Sequence, residues 1–108
     1  MTAADTTDTT AVLDTLGLLA DPLRRRIVAM LVDEELCTCH LVEEIGVAQP
    51  TVSYHLKQLR EAGWVRAERV GRYTYYRLEA TALATVAAAL GDLADRAGDV
   101  DRRRLPCD

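Results

Sequence analysis

Residues 38–63, TCHLVEEIGVAQPTVSYHLKQLREAG, contain two helical patterns of apolar residues separated by a glycine and a proline. The first pattern begins at Thr38 or Cys39, runs to Ile45 and ends at Gly46, a residue type that commonly terminates helices. Pro50 suits the first turn of a second helix, residues 50–62, which stops before Gly63. A short helix, a tight turn and a longer helix together predict a helix-turn-helix.

The second of these helices carries the residue types that read a DNA groove. Val52, Leu56 and Leu59 form its predicted buried stripe, so the polar side chains between them face outward. We predict contacts with bases or the nearby groove from Gln49, Thr51, Ser53, Tyr54 and His55, and contacts with the DNA backbone from Lys57, Arg69, Arg72 and Tyr73. Internal packing is the alternative for His55.

The flanking sequence predicts the rest of the fold. Helices are expected at residues 11–20, 22 to about 33, and 80–97, and the period-two runs 64–70 and 73–78 predict a hairpin around Gly71. The fold class is therefore mainly α with a small β-hairpin: a winged helix-turn-helix of about five helices and a two-stranded wing. One domain, residues 11–97, is expected between a disordered N-terminal tail, residues 1–10, and a flexible C-terminal tail, residues 98–108, that carries Cys107.

Charge is distributed unevenly along the chain. The net charge is −4, yet residues 48–78 hold six basic and two acidic residues. A basic face on an acidic body suits double-stranded DNA as a partner. No apolar run approaches the roughly 18 residues that suggest a membrane span, so no membrane partner is expected. The acidic N-terminus does not resemble a secretory signal, and the predicted location is the cytoplasm.

Apolar residues on the first and last helices extend beyond what a small core needs, so they predict a homodimer that reads an inverted repeat. The predicted dimer interface comprises Val12, Leu13, Leu16, Leu83, Val86, Leu90 and Leu93. The run Arg24-Arg25-Arg26 has two open interpretations, a solvated helix face or a clamp for phosphates.

Several segments together resemble the ArsR/SmtB family of winged-helix metalloregulatory repressors. They are LADPLR at residues 19–24, QPTVSYHL at 49–56, LREAG at 59–63 and GRYTYYRL at 71–78. The segment ELCTCHL, residues 35–41, is further similar to the cysteine element of the arsenite and cadmium/lead branches, with Val42 where those sequences often place a third cysteine. The resemblance implies a ligand-responsive DNA-binding repressor.

The three cysteines, Cys37, Cys39 and Cys107, are the predicted metal ligands. An odd number of cysteines makes a poor disulfide framework, so the thiols are expected to be free when no ligand is bound. Thiolates select soft ions, and trivalent arsenic or antimony takes three sulfurs, so Cys107 or a small thiol such as glutathione would supply the third. Residues two apart on a regular helix diverge, so Cys37 and Cys39 require an irregular helix start. His40 is expected to be solvated surface.

The predicted function is a metalloid-responsive repressor that binds operator DNA as a homodimer and is released by arsenite or antimonite. Alternatives are a cadmium- or lead-responsive repressor, or a DNA-binding protein that senses oxidants through its thiols. No nucleophile–base pair or cofactor motif is present, so we expect neither an enzyme nor an organic cofactor. The last helix offers Asp92 and Asp95 but no histidine, which disfavours a dedicated zinc or cobalt sensor.

Overall fold

The computed structural model describes residues 9–99 and 103–106. Residues 9–14 are helical (α1) and continue into a 3₁₀ helix, Thr15–Ala20 (η1). The hydroxyl of Thr15 donates to the carbonyl of Val12 at 2.6 Å, a side-chain bond that competes with regular helical bonding. The predicted first helix is thus present at the expected position, but it changes from an α-helix to a 3₁₀ helix at Thr15. The predicted N-terminal tail lies mostly outside the described residues, and residues 9 and 10 are helical.

Helix α2, Pro22–Leu31, begins where Asp21-Pro22 predicted it. The Asp21 carboxylate caps the helix by accepting from the amides of Leu23 at 2.8 Å and Arg24 at 3.2 Å. The hydrogen bond from Arg24 is the main reason that the pKa of Asp21 lies below its ordinary value. The helix ends at Leu31, two residues before the predicted end.

The helix-turn-helix consists of α3, Thr38–Ile45, and α4, Gln49–Glu61. Gly46 ends α3 with φ 82° and ψ 23°, the left-handed conformation that other residues adopt only at a cost. Helix α4 starts one residue before Pro50 and ends one residue before the predicted boundary. The predicted motif is confirmed, with boundaries shifted by one residue.

Three strands, not two, make up the sheet. Strands β1 (Leu36–Cys37), β2 (Val65–Val70) and β3 (Tyr73–Leu78) are antiparallel in the order β1-β3-β2, and Gly71 at φ 63° turns the hairpin. The wing hairpin is confirmed, whereas β1 has no counterpart among the two strands that the sequence predicts. Leu36 pairs with Tyr76 and Cys37 with Tyr75, so β1 extends the sheet of the wing.

Helix α5, Ala80–Gly98, closes the fold one residue beyond its predicted end. The buried cluster draws on α2, α3, α4, the sheet and α5, and includes Ile27, Leu31, Leu41, Val52, Leu56, Leu59, Trp64 and Val86. This core fixes the position of α4 relative to the wing. The predicted DNA contacts on these two elements are therefore held in a fixed arrangement. Within the described residues, no helix combines the length and apolarity needed to cross a membrane.

Candidate metal centre and nucleic-acid interface

Helix α4 separates a buried face from an exposed polar face. Val52, Leu56 and Leu59 are fully buried, as their spacing predicted. The exposed residues include five of the predicted DNA contacts: Gln49, Thr51, Ser53, Tyr54 and Lys57. The buried stripe anchors α4 in the core, so the exposed side chains on the same helix are held in a fixed arrangement. A major groove admits an α-helix that carries polar side chains of this kind.

His55 is the exception among the predicted groove contacts. It is 8% exposed, and its buried Nδ1 has no hydrogen-bond partner among the described residues. Its ring meets the edge of Tyr54, with centroids 5.2 Å apart. His55 lies beside the buried stripe rather than on the exposed face, which favours the alternative of internal packing, and a contact with DNA stays a prediction.

The wing presents a basic surface beside the exposed polar face of α4. Arg69, Arg72 and Tyr73 are exposed around the Gly71 turn. The Arg69 Nε donates to the Gly71 carbonyl at 3.0 Å, and the Arg72 guanidinium lies 5.9 Å from the centroid of the Tyr73 ring. These contacts stabilise the turn while leaving both guanidinium groups at the protein surface, where phosphates are accessible to them.

The Arg24–Arg26 run is engaged with neighbouring carbonyl groups. Arg24 Nε donates to Leu18 O at 2.8 Å, and an Arg25 guanidinium nitrogen donates to Leu19 O at 2.7 Å. Arg26 donates to Glu44 O near the end of α3, at 3.3 Å. Cationic groups at helix carboxyl ends satisfy unpaired carbonyls and complement the helix dipole. The run therefore holds η1 and α3 in place, which neither open interpretation described.

The structure brings Cys37 and Cys39 together where strand and helix meet. Cys37 ends β1 in an extended conformation and is also the N-cap of α3, whereas Cys39 lies in the first turn of that helix. Their Cα atoms are 5.3 Å apart, and the sulfurs form a disulfide. The prediction of free thiols is therefore wrong for this state, because the irregular helix start brings the sulfurs into bonding contact.

A groove of about 370 Å³ connects this cysteine pair to both DNA-facing surfaces. Gln49 of α4 and the wing residues Arg72, Tyr73 and Thr74 line it, together with both cysteines. Cys37 is 2% exposed and Cys39 is exposed. A reagent in the groove therefore reaches Cys39 first and lies next to residues of the wing and of α4.

His40 completes a compact group of ligand atoms. One atom each from Cys37, Cys39 and His40 lie within 4.8 Å of one another. The Nδ1 of His40 accepts a hydrogen bond from the Cys37 backbone amide at 3.1 Å, which caps the start of α3. His40 is exposed, as predicted, but it also has a structural role that the sequence analysis missed.

The remaining predicted ligand, Cys107, lies outside the described residues. On α5, Asp92 is paired with Arg96 at 3.3 Å, an exposed contact one helical turn apart. The two aspartates of α5 are exposed, and no histidine accompanies them on this helix.

The predicted dimer residues occupy different environments in the single chain. Val86 is 8% exposed and packs in the core of the single chain, so it offers little surface to a second copy. Val12, Leu16 and Leu83 are half-buried against the core. Leu13 and Leu93 are also half-buried, and Leu90 is 46% exposed. The apolar surface available to a second copy is therefore centred on Leu90 and Leu93.

Comparison with known proteins agrees with this architecture. A family model described as bacterial regulatory protein, arsR family, matches residues 21–67. The Biofilm growth-associated repressor of Xylella fastidiosa is 37% identical over 79 residues, which cover 73% of this chain and 69% of that protein. The chain belongs to the arsR family. The arsR-family relatives are transcriptional regulators, in agreement with the prediction that the chain is not an enzyme.

A further curated sequence and a solved structure extend the comparison for this arsR-family chain. The Arsenic resistance transcriptional regulator ArsR1 of Pseudomonas putida is 46% identical over 61 residues, covering 56% of this chain and 48% of the relative. The chain thus spans about half the length of the first curated relatives that it matches. The crystal structure of the transcriptional repressor BigR from Xylella fastidiosa superposes with a TM-score of 0.66 at 34% identity, over 84% of this chain and 94% of that one.

Proposed function

We propose that the chain is a cytoplasmic transcriptional repressor that binds operator DNA as a homodimer and releases it when arsenite or antimonite binds reduced Cys37 and Cys39. One observation carries the proposal: the cysteine pair joins the wing sheet to the first turn of the helix-turn-helix. The similarity to an arsenic resistance regulator supports this choice of ligand.

Ligand binding requires the disulfide to be reduced first. Two molecules of a cellular thiol supply the electrons and are oxidised to their own disulfide, while each protein sulfur gains a proton. Arsenite, As(OH)₃, then exchanges two hydroxyl groups for the two sulfurs and releases two waters. A third thiol replaces the last hydroxyl with release of a third water, giving the three-sulfur environment that trivalent arsenic prefers.

Cys107 is our proposed source of the third sulfur. The described C-terminal residues 103–106 have no regular secondary structure, and they precede Cys107 directly. A small exogenous thiol is the alternative donor, because the groove beside Cys39 is open to solvent.

The proposed response follows from the position of Cys37. Its backbone pairs with Tyr75 of β3 and also begins α3. Drawing the two sulfurs around an arsenic atom changes the conformation of residues 37–39. This disturbs both the wing and α3, whose contacts with α4 set the orientation of the DNA-reading helix.

On DNA, we propose base or groove contacts from the exposed residues of α4 and phosphate contacts from Lys57 and the wing. Two protomers related by a two-fold axis read an inverted repeat. His55 is left out of this interface because it is buried.

The test is DNA-binding anisotropy of the reduced protein on its own upstream region, titrated with arsenite, antimonite, cadmium and lead. Arsenite is expected to release wild-type protein but neither Cys37→Ser nor Cys39→Ser. Cys107→Ser distinguishes the two sources of the third sulfur: its release weakens if Cys107 is a ligand and is unchanged if a small thiol serves. Release by cadmium or lead alone would select the other ligand class, and no release by any of these ions would overturn the proposal.

A second candidate function is favoured by the disulfide itself. Peroxide oxidises two thiols to a disulfide with release of two waters, and the Cys37–Cys39 bond is the product that such a sensor would form. In this case peroxide, and not arsenite, changes DNA affinity, and a reductant reverses the effect. The same anisotropy assay, with peroxide in place of metal, separates the two candidates.

A further inference from the structure

The groove of about 370 Å³ places a reactive bond beside two opposite charges. The Cys37–Cys39 disulfide lines it together with Arg72 of the wing turn and Glu43 of α3. Small-molecule sites occupy roughly 300–1,000 Å³, so a groove of this volume accepts an organic molecule and not only an ion.

We propose that this groove binds a small amino-acid or peptide thiol, such as glutathione, and places it for exchange with the disulfide. Arg72 binds a carboxylate of this molecule, and the thiol sulfur forms a mixed disulfide with Cys39. The inference goes beyond the proposed function, which requires a thiol reductant but gives it no binding site.

The charged groups of the groove match those of such a molecule. Arg72 is exposed at the turn, and a guanidinium binds a carboxylate through two parallel hydrogen bonds. Glu43 is also exposed and suits an ammonium group. The side chains of Gln49 and Thr74 add hydrogen-bonding groups to the lining. A thiol that carries both charges therefore fits the groove better than a neutral thiol.

Access and the leaving group select Cys39 as the sulfur that is attacked. Cys37 is 2% exposed, whereas Cys39 is exposed. The incoming thiol gives its proton to the solvent and bonds to the Cys39 Sγ. The Cys37–Cys39 bond breaks, and its electron pair stays on the Cys37 Sγ as a thiolate. Cys37 is the N-cap of α3, where the positive end of the helix dipole stabilises this thiolate.

The mixed disulfide has two consequences. A second thiol molecule can displace the first from Cys39 as a symmetrical disulfide, which leaves both cysteines reduced. Until then, the bound carboxylate occupies the guanidinium of Arg72, so this group no longer binds a phosphate. The effect on DNA rests on the proposed phosphate contact of Arg72, whereas the exchange reaction does not.

The first test is the rate at which glutathione and its diethyl ester open the disulfide of the oxidised full-length protein carrying Cys107→Ser. The ester keeps the thiol and the ammonium group but lacks both free carboxylates. Alkylation of the released sulfur stops the exchange, and mass spectrometry gives the rate and the position of the adduct. We expect the adduct on Cys39.

Arg72→Ala should lower the ratio of the glutathione rate to the ester rate by about threefold, since an exposed ion pair is lost. Arg77→Ala is the matched control, because Arg77 lies on β3 but lines a different groove, and it should leave the ratio unchanged. A ratio that Arg72→Ala does not change, or an adduct on Cys37, would overturn the inference.

The second test measures DNA binding of a stable adduct. In protein with Cys37→Ser and Cys107→Ser, glutathione disulfide reacts with Cys39 and leaves glutathione attached, while serine remains a suitable N-cap. The adduct should weaken DNA binding about as much as Arg72→Ala does, and should add little to that substitution. Equal weakening with and without Arg72 would overturn the link to DNA. Neither test contains arsenite, so the proposed response to arsenite succeeds or fails independently.

Discussion

Arg72 illustrates what a single side chain contributes at the wing. Its guanidinium is exposed at the turn and stacks near the Tyr73 ring, 5.9 Å from the centroid. A cation held against an aromatic face loses less freedom when it meets a phosphate than one on a free chain does. Arg96, by contrast, is paired with Asp92 on α5. The two arginines therefore form a matched pair for testing the DNA surface.

For Arg72→Ala we expect weaker binding on every DNA sequence and a salt dependence that is shallower by about 0.9 per protomer, since one phosphate contact and its released counterion are lost. Arg96→Ala removes the same charge far from the wing and should leave the slope unchanged. Anisotropy titrations at several salt concentrations give both slopes. An unchanged slope in Arg72→Ala would remove this residue from the proposed interface.

Single residues are also where sequence-based prediction failed. The exposure of Gln49, Thr51 and Ser53 followed from helical periodicity, whereas the burial of His55 depended on which side of the stripe the core covers. The side chain of Arg24 bonds to the carbonyl of Leu18, six residues earlier, and so joins α2 to η1. Helical periodicity does not specify the angle between these two helices, so this bond was not predictable from the sequence pattern. The cap formed by His40 had a local signal: it occupies the helix position at which Glu or Gln usually closes a capping box.

Among the secondary-structure elements, the turn between α3 and α4 sets the geometry of the DNA-reading helix. Gly46 has φ 82°, and a Cβ built there meets no atom within 4 Å, so only the backbone conformation opposes a side chain. Gly17, within η1, has equally free space and no left-handed φ. Comparing these two glycines isolates the cost of backbone conformation from the cost of steric contact.

Gly46→Ala is expected to lower the free energy of unfolding by about 1 kcal/mol, because alanine adopts the left-handed conformation at roughly that cost. Gly17→Ala should be neutral or stabilising, since it restricts the unfolded chain without strain in the native state. Urea unfolding followed by circular dichroism measures both values. Equal stability of the two variants would mean that the Gly46 turn relaxes to another conformation.

The elements themselves were predictable because capping residues and changes of period marked their ends. The helix-turn-helix, the hairpin and α5 all fall within two residues of the predicted bounds. Strand β1 was not predicted, because a strand of two residues is too short to show an alternating pattern. Its formation also depends on a partner strand some forty residues later in the chain. That pairing places Cys37 in the wing sheet, so the most consequential feature of the candidate site was inaccessible to local patterns.

At the scale of the whole molecule, α5 presents apolar surface among the described residues. Leu90 is 46% exposed and Leu93 half-buried, beyond the buried residues Val86 and Ala89. We expect a second copy to cover this face in the proposed homodimer, because an inverted repeat requires two reading helices. Leu105, 84% exposed near the C-terminus, provides a control of the same residue type outside α5.

Leu90→Glu is expected to shift the protein from dimer to monomer, because the interface would bury an unpaired carboxylate. DNA affinity should fall with it, since a monomer holds only one half-site. Leu105→Glu should leave both properties unchanged. Sedimentation velocity and anisotropy together measure the outcome. A dimeric Leu90→Glu protein would place the interface elsewhere.

The three residues that follow β1, residues 38–40, lie at the surface, and this bears on how the ligand preference of a proposed sensor can change in evolution. Thr38 is half-buried and Cys39 and His40 are exposed, while the neighbouring Leu41 is fully buried. In the proposed sensor, substitutions at positions 38 and 39 would therefore change the chemistry of the ligand site without disturbing the hydrophobic packing beneath it. The proposed sensor would thus change its ligand preference by mutation at these two positions while the DNA-reading helix stays the same.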